Sequence, residues 1–163
     1  MKNICLLSDT HGKLESWVFK YFEDSDEIWH CGDLGSINVI DSINKNFKLR
    51  AVYGNIDNAQ IRKSLKKDLI FKVEGIKVLM THIAGPVKNY NAETFKIISD
   101  EKPQLLVCGH SHILKVVYDK KFKMLYMNPG SCGSFGIHKL KTLLKFKIEG
   151  NDVKDLKVIE KER

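Results

Sequence analysis

Residues 3–12, with the sequence NICLLSDTHG, decide the fold class of this chain. The nearly continuous apolar run from Asn3 to Leu7 is typical of a strand that is buried on both faces, as in a parallel sheet. This strand ends in the polar turn Ser8-Asp9-Thr10-His11-Gly12. Apolar residues then recur at the spacing of a helix face: Leu14, Trp17, Val18, Tyr21 and Phe22. The segment therefore predicts a strand, a loop and a helix in succession.

Two more units of this kind follow. The first is a strand from Glu27 to His30, the turn Cys31-Gly32-Asp33 and a helix that presents Ile37, Ile40 and Ile43 on one face. The second is a strand from Leu49 to Tyr53, the turn Gly54-Asn55-Ile56-Asp57 and a short helix that ends near Lys63. Alternation of strands and helices predicts that these strands are parallel.

The pattern changes at Leu69. We expect a hairpin of two strands, Leu69–Val73 and Ile76–Thr81, which ends at His82, and a helix over Glu93–Asp100. The other predicted strands are Gln104–Cys108, which ends in Gly109-His110-Ser111-His112, and then Leu114–Tyr118, Met124–Met127, Thr142–Ile148 and Val153–Val158. So many strands with so few helices predict an α/β fold in which two sheets pack face to face with helices outside.

Composition narrows the class of protein. The chain has 163 residues, of which 27 are Lys or Arg and 20 are Asp or Glu, and the formal net charge is +7. No apolar run approaches the roughly 20 residues of a membrane span, so we expect one globular cytoplasmic domain over residues 1–163. The four cysteines lack a C-x-x-C spacing, which favours reduced, buried thiols. The lysines are spread along the chain. This distribution is more typical of a solvated surface that attracts phosphate-bearing substrates than of a nucleic-acid interface.

Five of the predicted strands end in residues of metal-ligand type. They are Asp9, His11, Asp33, Asn55, His82, His110 and His112. Because the carboxyl ends of strands form the ligand crevice of an α/β sheet, we expect all seven to meet at one rim. Imidazole, carboxylate and amide ligands suit divalent manganese, iron, cobalt, nickel or zinc better than calcium. If one carboxylate bridges, two ions each gain four ligands, which is the arrangement for phosphoryl or carbonyl hydrolysis.

The sequence blocks around these residues resemble the signature of the calcineurin-like metallophosphoesterase superfamily. The blocks are Asp9-Thr10-His11, Gly32-Asp33, Gly54-Asn55-Ile56-Asp57, Thr81-His82 and Gly109-His110-Ser111-His112. The short chain and Asn128-Pro129-Gly130-Ser131 are similar to the small single-domain YfcE-type phosphodiesterases. The resemblance extends to about Gly136, and it implies a four-layer α-β-β-α sandwich, with two packed mixed sheets flanked by helices.

The resemblance also implies two divalent transition-metal ions, with manganese as the first candidate and nickel, iron, cobalt and zinc as alternatives. One ion would be held by Asp9, His11, Asp33 and His112, and the other by Asp33, Asn55, His82 and His110. Asp33 would be the bridge. Attack on a phosphodiester by a hydroxide between the ions then follows, because bound metals lower the pKa of water. We expect Asp33, Asn55, Asp57 and His82 to form the catalytic set, with Asp57 orienting a ligand.

Two positions depart from the pattern of the family. Larger members have a histidine after the asparagine of the third block, which is thought to protonate the leaving group, and this chain has Ile56 there. Many small members have Gly-His after the histidine that corresponds to His82, and this chain has Ile83-Ala84-Gly85. Outside the blocks, we expect His30 to be a core histidine and His138 to be a loop residue.

Two other functions stay open at this stage. The chain could be a non-catalytic interaction scaffold, as in the retromer subunit that resembles this fold, although all seven ligand positions are filled here. It could also be a phosphomonoesterase or a nuclease, although no extra domain is present to grip a duplex. We expect a small phosphate ester as the substrate, neither nucleic acid nor a membrane as a partner, and leave open whether the chain forms a homo-oligomer.

Overall fold

The computed structural model describes all residues from 1 to 163 as ten strands, three α-helices and one 3-10 helix. The strands are β1 (Lys2–Leu7), β2 (Glu27–His30), β3 (Leu49–Ala51), β4 (Asp68–Val73), β5 (Ile76–Thr81), β6 (Leu105–Val107), β7 (Leu114–Asp119), β8 (Met124–Pro129), β9 (Leu140–Glu149) and β10 (Asp152–Glu162). The helices are α1 (Ile37–Asn44), α2 (Ala59–Ser64) and α3 (Ala92–Glu101), and the 3-10 helix covers Ser16–Tyr21.

The strands form two mixed sheets of five strands each. The first sheet has the order β10-β9-β1-β2-β3 and the second has the order β4-β5-β6-β8-β7. In the first sheet β1, β2 and β3 are parallel, as the strand–helix alternation predicts, and β9 and β10 are antiparallel additions. In the second sheet β5, β6 and β8 are parallel, and β4 pairs with β5 as the predicted hairpin.

Alternating side chains of β1 show how the layers pack. Ile4 and Leu6 face the second sheet, and they belong to a core that also contains Val78 and Met80 of β5. Cys5 and Leu7 face the opposite way and pack in a cluster with residues of the 3-10 helix, α1 and α2. The outer face of the second sheet packs against α3 in a third cluster. The fold is therefore the predicted α-β-β-α sandwich.

The first predicted helix has a different geometry from the expected one. Residues 16–21 form a 3-10 helix, in which Val18 N–H donates to the Glu15 carbonyl at 3.2 Å. No side chain caps its first turn, so the apolar spacing alone does not sustain an α-helix here. The other predicted helices are α-helices at the expected places. All four cysteines are free and buried, as predicted, and no helix has the length and apolar character needed to cross a bilayer.

Candidate metal centre

The loops that follow β1, β2 and β6 carry most of the predicted ligands, and they hold them in an unusual backbone conformation. Five of the seven ligand residues have a positive φ: Asp9 (55°), His11 (49°), Asp33 (54°), His110 (69°) and His112 (58°). Residues other than glycine rarely adopt these left-handed backbone angles, and residues that are held in this conformation tend to cluster at functional sites. The left-handed backbone at this rim costs free energy, and it turns these side chains towards one another.

Two glycines let the loops approach closely enough for the ligands to meet. A Cβ atom on Gly54 would lie 2.0 Å from Oδ1 of Asp33, and one on Gly32 would lie 2.7 Å from Nδ1 of His82. No L side chain fits at either position without displacing a predicted ligand. The glycines of the second and third blocks therefore set the spacing of the site.

The first group of ligands consists of Asp9, His11 and His112, whose ligand atoms lie within 4.8 Å of one another. Nε2 of His11 lies 3.3 Å from Nε2 of His112. Asp9 is fully buried and its Oδ2 accepts a hydrogen bond from the His110 N–H at 3.1 Å. Its Oδ1 is buried and accepts none, although Nε2 of His112 is 3.2 Å away. A bound cation would satisfy this oxygen and both ring nitrogens.

The second group consists of Asp33, His82 and His110. Nδ1 of His82 donates to the Cys31 carbonyl at 2.6 Å, which leaves Nε2 as the ligand atom. This Nε2 lies 3.3 Å from Oδ1 of Asp33 and 3.1 Å from Oδ1 of Asn55. The structure therefore brings the predicted amide ligand Asn55 to this group as well.

Asp33 lies between the two groups. Its Oδ2 is 3.9 Å from Nε2 of His11 in the first group, whereas its Oδ1 is 3.3 Å from Nε2 of His82 in the second. The Ile56 N–H donates to Oδ1 at 3.1 Å and fixes the carboxylate in this orientation. The two oxygens of one carboxylate thus face different sets of ligands.

The two groups differ in their electrostatics, because burial lowers the pKa of His11 in the first group, whereas Asp33 and His82 of the second group favour each other's charge. Burial opposes charge on His82, but the hydrogen bond with Asp33 and the charge of Asp9 outweigh it, so the pKa of His82 is raised. Burial alone would raise the pKa of Asp33, but the hydrogen bond and charge of His82 and the Ile56 N–H lower it. The unsatisfied Asp9 oxygen and the set of nitrogen and oxygen donors fit divalent cations.

Comparison with known proteins identifies the family. Residues 1–151 match the profile of the calcineurin-like phosphoesterase superfamily domain. The chain belongs to this superfamily. A probable metallophosphoesterase from Methanocaldococcus jannaschii is 30% identical over 154 residues, which cover 90% of this chain and 76% of that protein.

Solved structures of the calcineurin-like fold resemble this one over most of its length. The phosphoesterase YfcE from E. coli has a TM-score of 0.60 and 19% identity, with 89% of this chain and 88% of that chain covered. Vps29 from Entamoeba histolytica, in a structure complexed with zinc, has a TM-score of 0.74 and 15% identity, with 98% of each chain covered. At these identities the likeness establishes the fold alone.

Asp57 lies beside the metallophosphoesterase ligands and outside both groups. Its carboxylate accepts hydrogen bonds from the backbone N–H groups of Leu34 at 3.2 Å, Gly35 at 2.7 Å and Gly54 at 2.8 Å. It ties the loop after β2, which carries Asp33, to the loop after β3, which carries Asn55. This position agrees with the expectation that Asp57 orients ligands.

Arg62 supports the same loop, and sequence analysis missed it. Its guanidinium donates to the carbonyl groups of Asp57 at 2.7 Å and Asn55 at 2.9 Å, and it stacks over the Tyr53 ring at 4.9 Å. A lone arginine in a short helix carries no signal of such a contact, because the loop it binds is recognised only by its folded shape.

His30 is a core histidine, as predicted, and it also braces the ligand loops. Its Nε2 lies 3.0 Å from Oγ1 of Thr10, and its Nδ1 accepts from the Gly32 N–H at 3.2 Å. Burial lowers the pKa of His30 to about 4, so the ring is neutral and Nε2–H donates to Thr10. The Thr10 hydroxyl donates onward to the Leu34 carbonyl at 3.2 Å.

The loop of residues 133–139 covers the first group, and His138 lies in this loop, as predicted. The ring of Phe135 lies 4.8 Å from that of His11, and the ring of His138 lies 5.3 Å from that of His112. The Arg163 guanidinium donates to backbone carbonyls of this loop and holds it to the end of β10. These contacts depend on packing between distant segments.

Proposed function

We propose that this metallophosphoesterase hydrolyses phosphodiesters with two divalent ions. The observation that carries the proposal is the position of Asp33, whose two carboxylate oxygens face different ligand groups. A carboxylate in this position can bridge two ions, and paired ions suit in-line displacement at phosphorus. The proposed partner is a small phosphate ester.

Each proposed ion has four ligands from the chain. One would be held by Asp9, His11, Asp33 and His112, and the other by Asp33, Asn55, His82 and His110. Manganese is the first candidate, with nickel, iron, cobalt and zinc as alternatives of similar preference for nitrogen and oxygen donors. When bound, such ions lower the pKa of water and neutralise charge on the phosphoryl oxygens.

The chain's own residues orient these ligands. The Cys31 carbonyl accepts a hydrogen bond from Nδ1 of His82 and thereby directs Nε2 towards the ligand group. The Asp57 carboxylate and the Arg62 guanidinium fix the loop that carries Asn55. The His110 N–H holds Oδ2 of Asp9 and leaves Oδ1 for a cation.

The remaining chemical requirement is a proton for the leaving group. In hydrolysis the water oxygen bonds to phosphorus, the bond from phosphorus to the leaving oxygen breaks, and that oxygen departs with the electron pair and takes up a proton. Ile56 cannot donate this proton. The carboxyl oxygens of Asp57 accept three hydrogen bonds from the backbone, so they face loop N–H groups. We therefore propose that substrates have acidic leaving groups, such as phenols.

A diester also suits this site better than a monoester. A monoester dianion carries one more negative charge than a diester, and Ile56 supplies no positive charge where larger members of the family have a histidine. The proposed preference is therefore for aryl diesters over alkyl monoesters.

The test combines metal analysis with hydrolysis. Protein loaded with Mn²⁺ is expected to bind up to two ions per chain and to hydrolyse bis(4-nitrophenyl) phosphate faster than 4-nitrophenyl phosphate. Activity should vanish in chelator and return with Mn²⁺. Fewer than half an ion per chain after loading, or a faster reaction with the monoester, would contradict the proposal.

A non-catalytic scaffold is the second candidate, because the fold resembles Vps29 and the rim exposes apolar side chains. Ile113 is 66% exposed and Phe135 is 67% exposed. The complete set of ligands favours the enzyme. A scaffold would bind ions yet hydrolyse neither ester, so the same experiment separates the two functions.

A further inference from the structure

Two clefts open beside the second ligand group, on either side of Ile83. One has a volume of about 420 Å³, and its lining includes His82 and Asn55. The other has a volume of about 300 Å³, and its lining includes His110 and Ser111. Ile83 lines both clefts. A molecule bound at the second group would therefore have two directions in which to extend.

The two clefts differ in chemistry. The larger one is mostly polar and charged, with Arg62, Lys67, Asp68 and Glu93 in its lining. The smaller one is lined largely by apolar side chains. Its titratable residues are His110, Tyr126 and one lysine, Lys115. Its other lining residues include Ile83, Ala84, Pro86 and Ile113. Its size falls at the lower end of the range for small-molecule sites, roughly 300–1,000 Å³.

The isoleucines of the smaller cleft are fixed to the ligands by the chain itself. Ile83 directly follows His82, and Ile113 directly follows His112. The Ile83 carbonyl accepts from Nδ2 of Asn91 at 2.6 Å, and the Ile113 N–H donates to Oγ of Ser111 at 3.2 Å. The turns that position the metal ligands therefore also position these side chains.

Both isoleucines remain in contact with water. Ile83 is 41% exposed and Ile113 is 66% exposed. Leaving apolar area in water forgoes about 25 cal/mol per Å² of burial, so two isoleucines beside a polar centre indicate a surface that a ligand covers. Lys115 adds a positive charge that suits an anionic phosphate ester.

We propose that the smaller cleft, called here the apolar cleft, is a subsite for an aromatic ester group of the substrate. The inference rests on the proposed function and names its substrate class: a diester with one aryl group in the apolar cleft and a polar group in the larger cleft. An aryl group there also meets the demand for an acidic leaving group, since Ile56 cannot supply a proton.

Binding of non-hydrolysable probes tests the subsite separately from catalysis. We expect Mn²⁺-loaded protein to bind phenylphosphonate at least about tenfold more tightly than methylphosphonate in calorimetric titration, because apolar pockets discriminate groups by roughly this much or more. Ile113→Asn should remove most of this preference and leave the affinity for methylphosphonate unchanged. Ile83→Asn should do the same, and it serves as a second variant if the first does not fold.

Ile137→Asn is the matched control, because Ile137 is fully exposed on the loop 133–139 and lines neither cleft. It should keep the preference, and metal content should be equal in all variants. Equal affinities for the two phosphonates, or a preference that survives in both Ile113→Asn and Ile83→Asn, would overturn the proposal. Selective binding without hydrolysis of any ester would keep the subsite and overturn the proposed function, whereas hydrolysis of diesters without selective binding would do the reverse.

Discussion

The two ligand groups differ in what surrounds them. The first group is covered by the loop 133–139, with Phe135 against His11 and His138 beside His112. The second group borders both clefts through His82 and His110. Neither cleft is lined by a residue of the first group. Under the proposed function, the first group would hold an ion, whereas the second would hold an ion and also contact the substrate.

The path of the chain explains this difference. The loop 133–139 connects β8 of the second sheet to β9 of the first sheet, so it must cross the end of the sandwich. It passes over the first group as it does so. The segment after β5 instead leads from His82 to α3 on the outside of the second sheet, and the clefts lie on either side of Ile83 in this segment.

Asp33→Ala removes the one side chain that faces both groups, and it should have the largest effect. We expect kcat/KM for bis(4-nitrophenyl) phosphate to fall roughly 10³-fold or more, as when a group that stabilises developing charge is lost. Metal content should fall for both ions, and the thermal transition should stay cooperative, because the core lies between the sheets. Near-normal turnover with a native transition would show that Asp33 is not the bridge.

Replacing one histidine in each group distinguishes a residue that only binds metal from one that also contacts the substrate. Both His112→Ala and His82→Ala should lower kcat by about 10²-fold, since even residues that support a ligand contribute 10–100-fold. Only His82→Ala should also raise KM, because His82 lines a cleft. Steady-state kinetics with metal analysis gives both quantities, and an equal change of KM in the two variants would remove the distinction drawn here.

Ile56→His tests the chemistry on the side of the second group. In the parent, log kcat/KM should fall steeply as the pKa of the leaving phenol rises. A histidine at this position should flatten the dependence and speed the poorest leaving groups by up to about 10²-fold, the lower range for general-acid catalysis. Ile56→Gln is the matched control, since it is polar but donates no proton at neutral pH. A flat dependence in the parent would reveal another proton donor.

Arg163→Ala should loosen the cover of the first group. The side chain holds backbone carbonyls of the loop 133–139, so its loss should weaken binding of one ion by about tenfold, the lower range for groups that support ligands. The preference for phenylphosphonate should not change. Lys154→Ala in β10, the strand that directly precedes Arg163, is the control, because Lys154 pairs only with Glu149 at the surface. Unchanged affinity for both ions would show that the loop does not support the first group.

Glu27 lies outside both groups. Glu27→Gln should therefore lower the stability of the fold and have the smallest effect on kcat/KM of the variants considered. Burial would raise the pKa of Glu27, but hydrogen bonds from Arg50 and Lys48 lower it to about 2, below the ordinary 4.5. A lowered pKa stabilises the fold above pH 4.5, and this contribution is lost as the pH falls towards 2. We expect the free energy of unfolding of the variant at pH 7 to be about 1–3 kcal/mol lower than that of the parent.

The difference in free energy of unfolding between parent and Glu27→Gln should shrink steadily below pH 4.5 in urea titrations. Glu149→Gln, at an exposed pair, provides the control and should show no such difference. A gap that stays constant down to pH 3 would mean that the charge of Glu27 is not its source.

The strand ends could be predicted because burial and chemistry change at the same residue. β2 has the predicted bounds, since Glu27–His30 is wholly buried and Gly32-Asp33 must leave the core. The seven candidate ligands were predicted from this change together with their residue types. The loop 133–139 could not be predicted, because it has no periodicity and reaches His112 through contacts with Arg163, which is distant in sequence. Backbone angles such as the positive φ of Asp9 likewise follow from the folded loops and leave no mark in residue type.

If the five candidate ligand residues with a left-handed backbone hold ions as proposed, the abundance of this protein in a cell would depend on its supply of metal. Each such residue costs on the order of 1 kcal/mol, whereas the net stability of a domain is only about 5–15 kcal/mol. An ion at about 100 times its Kd would return about 2.7 kcal/mol to the folded state. Chains made while metal is scarce should therefore unfold more often and be degraded by proteases sooner, so the cell would keep mainly those copies that have found their ions.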